Sequence, residues 1–212
     1  MQRIDFYFDP SCPFCWITSR WLLQVEKQRD LEITWRPFSL AIKNDELDEN
    51  GPNENPHSEG HRGSHRVHRI IAAAAEQGAS TIDLYSAFGR EVHTAGREFD
   101  DALVTEVLSN AGLPADLAKA AEDTSWDAHL ESEMQSALDA VGDDTGVPVI
   151  VFTDDDGERR GYFGPVLNAM PNEEEGLAIW DGLSTLAPVT SFYELKRSRP
   201  GGGPDTASTE GL

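Results

Sequence analysis

The chain has 212 residues, 39% of them hydrophobic and 8% aromatic, enough to bury a core without disulfide staples and too apolar for wholesale disorder. With Lys+Arg 17 against Asp+Glu 38, the formal charge of -21 excludes a nucleic-acid-binding face as the main business and sets the chain against anionic membranes. No apolar run approaches the ~18 residues of a membrane helix. The first nine residues lack the basic-then-apolar pattern of a signal peptide, so the expected compartment is the cytoplasm.

Residues 4–8 alternate and are rich in aromatic and branched side chains, which predicts a strand ended by Asp9-Pro10-Ser11. From Cys12 to about Gln28, Trp16, Ile17, Trp21, Leu22 and Val25 repeat at helix spacing. Residues 31–38 read as a second strand, and strand–helix–strand over so short a span suggests a parallel crossover unit. Residues 44–55, dense in Asp, Glu, Asn, Gly and Pro, read as a loop. The stretch 58–141 is almost wholly helical in its apolar spacing, with Gly78, Gly96, Gly112 and Gly142 as stops. Strand signals return at 147–152 and 160–163 around the turn Asp154-Asp155-Asp156-Gly157, giving a hairpin. Glu173-Glu174-Glu175 opens a last helix, its acids suited to the positive end of the helix dipole. The predicted organisation is therefore an α/β thioredoxin-like domain in two parts, residues 1–57 and 143–197, bracketing a large all-helical insertion at 58–142. The low-complexity tail 198–212 is expected to be disordered.

Only two cysteines exist, Cys12 and Cys15, and two thiols in a cytoplasmic chain are no structural framework. They stand three apart where a strand gives way to a helix, which puts them on one helical face at a span a disulfide can bridge. Pro13 falls near the first helical position, where its missing N–H costs nothing. The free N–H groups of that first turn favour an anion and should lower the Cys12 pKa below the ~8.5 of an ordinary thiol. Cys12 is thus the expected attacking thiolate, and Cys15, one turn inside, the resolving thiol. A zinc site would need about four ligands, and no second cysteine pair is present. His57, His61, His65 and His68 share one helical face and are read as a solvated, pH-responsive surface in preference to a metal site. In Gly146-Val147-Pro148-Val149, Pro148 sits where thioredoxin-like folds carry a cis-proline facing the dithiol, so Val147 and Pro148 are expected to contact the substrate. A trans-proline that merely starts the strand is the alternative.

The segment Phe8-Asp9-Pro10-Ser11-Cys12-Pro13-Phe14-Cys15-Trp16-Ile17-Thr18-Ser19-Arg20-Trp21 closely resembles the actinobacterial mycothiol-dependent nitroreductases, DsbA-like cytoplasmic proteins. Further matches are Ser39-Leu40-Ala41-Ile42 with Asn44, Asp139-Ala140-Val141-Gly142, Phe163-Gly164-Pro165-Val166-Leu167 and Phe192-Tyr193-Glu194-Leu195-Lys196-Arg197. The resemblance implies a DsbA-like thioredoxin fold with a helical insert. It also implies mycothiol, a low-molecular-weight thiol, as reductant, and small disulfide or nitro-aromatic substrates handled through a mixed disulfide on Cys12. Phe14 stands where the family usually has Trp, Val149 where Thr is common, and the hairpin is longer. Losing an indole N–H beside the sulfur bears on substrate preference, not on thiol chemistry.

Pro13, Phe14, Trp16, Asn44 and His57 are the further pocket candidates, set against core packing for Trp16 and a loop cap for Asn44. His93 matches the family too, as packing or as pocket wall. No Gly-x-Gly-x-x-Gly follows the first strand, so neither flavin nor nicotinamide is expected, and no metal. The rival readings are a general protein disulfide oxidoreductase or isomerase, an enzyme like the hydroxychromene-carboxylate isomerases, and a redox-sensing module. The assembly state is left open, a homodimer included.

Overall fold

The structure is a computed structural model describing residues 1–199 and 201–212. Four strands, β1 (Gln2–Phe8), β2 (Leu31–Pro37), β3 (Val149–Thr153) and β4 (Arg159–Phe163), form one sheet in the order β2-β1-β3-β4. β1 and β2 run parallel, joined by α1 (Pro13–Glu26), while β3 and β4 are an antiparallel hairpin added beside β1. The central strand β1 is apolar on both sides: Phe6 and Phe8 point one way, Tyr7 the other, and all three are buried.

Each face finds its helices through those side chains. On the Phe6 side, α1 packs with α7 (Glu173–Leu186) through Trp21 and Trp180, and Trp180 lies 5.9 Å from Phe152 of β3. On the Tyr7 side, α6 (Asp127–Val141) covers the sheet, with Tyr7 Oη donating to Ser136 Oγ at 3.2 Å. Gly161 of β4 allows α6 to come close, since a Cβ there would meet the Ala140 backbone at 2.9 Å.

Between β2 and β3 the chain is helical: α2 (Leu40–Lys43), α3 (Ser58–Glu76), α4 (Thr81–His93), α5 (Asp101–Asn110), two 3-10 turns, then α6. The helices α3 and α4 close over the end of β1, where Phe8 stacks on Tyr85 at 4.0 Å and meets His68 at 5.6 Å. One continuous core therefore runs from Ile4 through the insert to Ala187. The short helix α2 falls between the strand expected at 31–38 and the loop expected at 44–55; four residues are too few for helical periodicity to show.

Two expectations need correction. The histidine face is solvated only at its start: His57 is exposed, but His65 and His68 are 2% and 1% exposed, because that part of α3 is packed on the sheet end. The tail is not disordered either. Residues Thr206–Thr209 form a 3-10 turn, and Thr209 is buried at 3% exposure. Composition could not reveal this, because the order comes from hydroxyls meeting distant donors and acceptors.

Gly161→Ala should lower stability by roughly 1–3 kcal/mol, since the obstacle is backbone and cannot swing aside. Gly182→Ala, in α7 with open space around it, should raise stability by about 0.5–1 kcal/mol. Thermal unfolding of the two variants checks the opposite signs.

Candidate active site

The site is set by one register. Because β1 and β3 are antiparallel with Tyr7 opposite Val149, the start of β3 lies beside the end of β1, where α1 begins. The Val147–Pro148 peptide bond is cis, and the Cys12 thiol donates to the Val147 carbonyl at 3.7 Å. Cys12, Val147 and Pro148 are thus brought together.

Cys12 is the N-cap of α1, in extended conformation, with Pro13 opening the helix. Its sulfur accepts the Cys15 N–H at 3.5 Å, taking the place of a capping oxygen. Both cysteines are free thiols, yet they differ: Cys12 reaches the surface with 8% of its area and Cys15 with none. Their ionisation differs in the same sense. The Cys15 thiol hydrogen-bonds the Cys12 sulfur and holds its pKa below the usual thiol value, with the backbone N–H groups of Cys15 and Phe14 adding to this against the effect of burial. Burial pushes the Cys15 thiol well up, and its neighbour's negative charge adds to the rise. The outer sulfur is the better thiolate; the inner one keeps its proton.

Behind the dithiol, Asp9 is fully buried and holds three segments together. Its Oδ1 accepts from the Ser11 N–H at 2.8 Å and the Ser11 hydroxyl at 2.6 Å, and its Oδ2 from the Leu40 N–H at 2.8 Å. His68 Nε2 stands 3.9 Å from Oδ2. The Asp9 charge opposes ionisation of Cys12, so the loop that shapes the site also restrains its reactivity. A second clamp ties the insert to the sheet. Asp127 accepts both Nε and Nη2 of Arg69 at 2.7 Å and His65 Nε2 at 3.0 Å, which leaves His65 Nδ1 to accept from the Ser39 hydroxyl at 2.9 Å.

The remaining candidates are placed as follows. Phe14 is half-buried beside the dithiol, under the Arg199 guanidinium at 5.2 Å. Trp16 is buried, with its indole N–H donating to Thr209 Oγ1 at 2.8 Å. Asn44 is the exposed C-cap of α2, four residues beyond the Leu40 that Asp9 holds. His57 is exposed at the head of α3, 6.2 Å from the His61 ring. His61 is paired with the buried carboxylate of Glu46, so the four histidines do not converge. His93 Nε2 donates to the Pro10 carbonyl at 2.8 Å, and its ring stacks on Trp16 at 5.7 Å. Asp9 and Thr209 were missed by sequence reasoning; an aspartate ending an apolar strand next to a dithiol was the signal available for the first.

A cavity of about 680 Å³ opens between β2 and the insert, walled by Trp35, Ile71 and Trp126. The dithiol is not among the residues that line it.

The protein-family description "Rv2466c-like: Mycothiol-dependent nitroreductase Rv2466c" matches residues 11–197. The chain is 33% identical over 202 residues to the uncharacterized protein Rv2286c of Mycobacterium tuberculosis, covering 94% of this chain and 83% of that protein. Among solved structures it is similar to a probable DsbA oxidoreductase, SCO1869, from Streptomyces coelicolor, at 17% identity and TM-score 0.58, covering 96% of this chain and 98% of that one. It is similar, too, to the cytosolic disulfide reductase DsbM of Pseudomonas aeruginosa at 13% identity and TM-score 0.58, covering 87% and 100%. A 2-hydroxychromene-2-carboxylate isomerase matches at 14% identity and TM-score 0.59, covering 87% and 95%. Identities this low speak to the fold, which is DsbA-like.

The pH dependence follows from burial. Burial brings His68 down to about 4, and His93 likewise to about 4. Unfolded histidine takes its proton near ~6.5, so the unfolded chain binds more protons between those values and stability falls as pH drops from 6.5 towards 4. Each histidine contributes on the order of 3 kcal/mol to that slope. His68→Leu should flatten the loss of Tm across this window, measured against the parent chain. A separate check is alkylation of Cys12 by iodoacetamide. Cys15→Ala should move the midpoint of its pH profile upward by removing the thiol donor, and Cys15→Ser should move it less.

Proposed function

This chain belongs to the Rv2466c-like family of mycothiol-dependent nitroreductases, and from that premise we propose that it is a cytoplasmic thiol-disulfide oxidoreductase that uses Cys12 and Cys15 to pass electrons from mycothiol to small disulfide or electrophilic nitro-aromatic compounds. The observation that carries this reading is the inequality of the two sulfurs: the ionisable, surface-reaching one heads the helix and the protonated, buried one sits a turn behind it.

With a disulfide substrate, the Cys12 thiolate attacks one sulfur, forming a mixed disulfide and releasing the other half as a thiolate. Cys15 then gives up its proton, attacks the Cys12 sulfur and expels the second half, leaving the Cys12–Cys15 bond. Two mycothiol molecules restore the dithiol and leave as one mycothiol disulfide. With a nitro-aromatic acceptor the same dithiol supplies two electrons and two protons, giving the nitroso compound and water. The Val147 carbonyl beside Cys12 offers the kind of backbone edge on which an extended thiol could pair as its sulfur approaches. Phe14 and Pro13 border the approach, and exposed Asn44 and His57 are assigned to its outer rim. No helix among the described residues is long and apolar enough to cross a membrane.

Offered mycothiol disulfide, the Cys15→Ser protein should accumulate a mycothiol adduct on Cys12 with release of one mycothiol, seen as a mass increase that dithiothreitol reverses. Cys12→Ser should lose mycothiol-dependent turnover of a small chromogenic disulfide and of a nitro-aromatic, followed by absorbance. Full activity in Cys12→Ser would remove the dithiol mechanism. Efficient reduction of a protein disulfide with no response to mycothiol would favour the general oxidoreductase instead.

A further inference from the structure

The family match stops at residue 197, yet the chain beyond it returns to the dithiol. Contacts from Arg199, Thr206, Ser208 and Thr209 make the return. Arg199 places its guanidinium 5.2 Å over the Phe14 ring, inside the dithiol motif itself. The Thr206 hydroxyl donates to the His93 carbonyl at 2.8 Å. Ser208 Oγ accepts the Met170 N–H at 2.8 Å. Thr209 Oγ1 accepts the Trp16 indole N–H at 2.8 Å and donates to the Thr206 carbonyl at 2.7 Å.

Two of these partners are the residues on which the Cys12 loop rests. Trp16 sits in the first turn of α1, and its backbone N–H donates to the Cys12 carbonyl at 3.1 Å. Its ring is held on every side: Arg20 stands 4.2 Å over it, Tyr85 meets it edge-on at 6.0 Å, and a Cβ at Gly89 would strike it at 2.4 Å. His93 stacks on the same ring and donates to the carbonyl of Pro10, two residues before Cys12. Thr209 supplies the acceptor for that buried indole N–H; without it the group is orphaned and the ring must turn to find another partner.

We propose that residues 205–210 form a strap that completes the dithiol site, with Thr209 as a positioning residue acting through Trp16 on the geometry of Cys12. The inference concerns the same dithiol as the functional reading above but does not depend on mycothiol or on any substrate. Its test is the reactivity of one sulfur towards iodoacetamide.

The ionisable groups around Cys12 are Cys15 on α1, Asp9 in the preceding loop and Tyr85 from α4, with His68, His93 and Arg20 beyond them. Thr209→Val removes the hydroxyl and changes none of these charges, nor those of Asp205 and Glu210 on the strap. The expected result is a pH profile of Cys12 alkylation displaced upward, with a rate at neutral pH about threefold lower, the size of a half-unit displacement. Thr209→Ser, which keeps the oxygen, should restore the parent profile. Thr206→Val releases the strap at its other bond and should displace the profile in the same direction. If Thr209→Val and Thr206→Val only lower Tm and leave the profile and the neutral rate unchanged, the strap is packing alone and the proposal fails. Loss of mycothiol-dependent turnover in the parent chain would overturn the functional reading and leave this one standing.

Discussion

The Cys12 sulfur lies between the N–H groups that open α1 and the carbonyl that precedes Pro148, and the rest of the molecule serves that placement. The helix start supplies the donors, the antiparallel register of β1 with β3 brings the carbonyl, and the insert roofs the end of the sheet. A thiolate is soft and poorly matched to a hydrogen-bond donor, so no single contact holds it. Several weak ones do, and each is fixed by a different element of the fold.

Opposing this is Asp9, a charge of the same sign in the wall behind the sulfur. It is retained because its two oxygens satisfy backbone and hydroxyl donors from Ser11 and Leu40, donors that would be stranded in the core by an apolar side chain. The buried histidines answer the same constraint without adding charge. Burial keeps His68 and His93 neutral, His68 packing as an aromatic ring against Phe8 and His93 holding the Pro10 carbonyl. The result is a site whose electrostatics are a compromise between holding a loop and ionising a thiol.

Much of the fold was legible because it is local. Period-two alternation marks β1, the helical repeat of Trp16, Trp21 and Val25 marks α1, and the Asp154–Gly157 turn marks the hairpin. The placement of Cys12 and Cys15 was legible for the same reason, since three-residue spacing at a helix start is a local fact. What escaped was long-range. Nothing in the neighbourhood of His65 or His68 says which side of α3 will meet the sheet, and nothing around Thr209 points to an indole N–H that is distant along the chain. Asn44 and His57 were chosen by resemblance and chain position, and both sit at the surface, away from the contacts that hold Cys12. Helix α2 was too short for its pattern to register.

The narrow gap between the two cysteines has a thermodynamic consequence. A bond closing a loop of only four residues removes little freedom from the unfolded chain, worth about 2 kcal/mol against about 4.7 for a loop of a hundred. Joining the sulfurs therefore shifts the unfolding equilibrium by about thirtyfold, where a long-range bond would shift it a few thousandfold. The reduced chain is accordingly the softer of the two states, by a margin that heat and proteases would register.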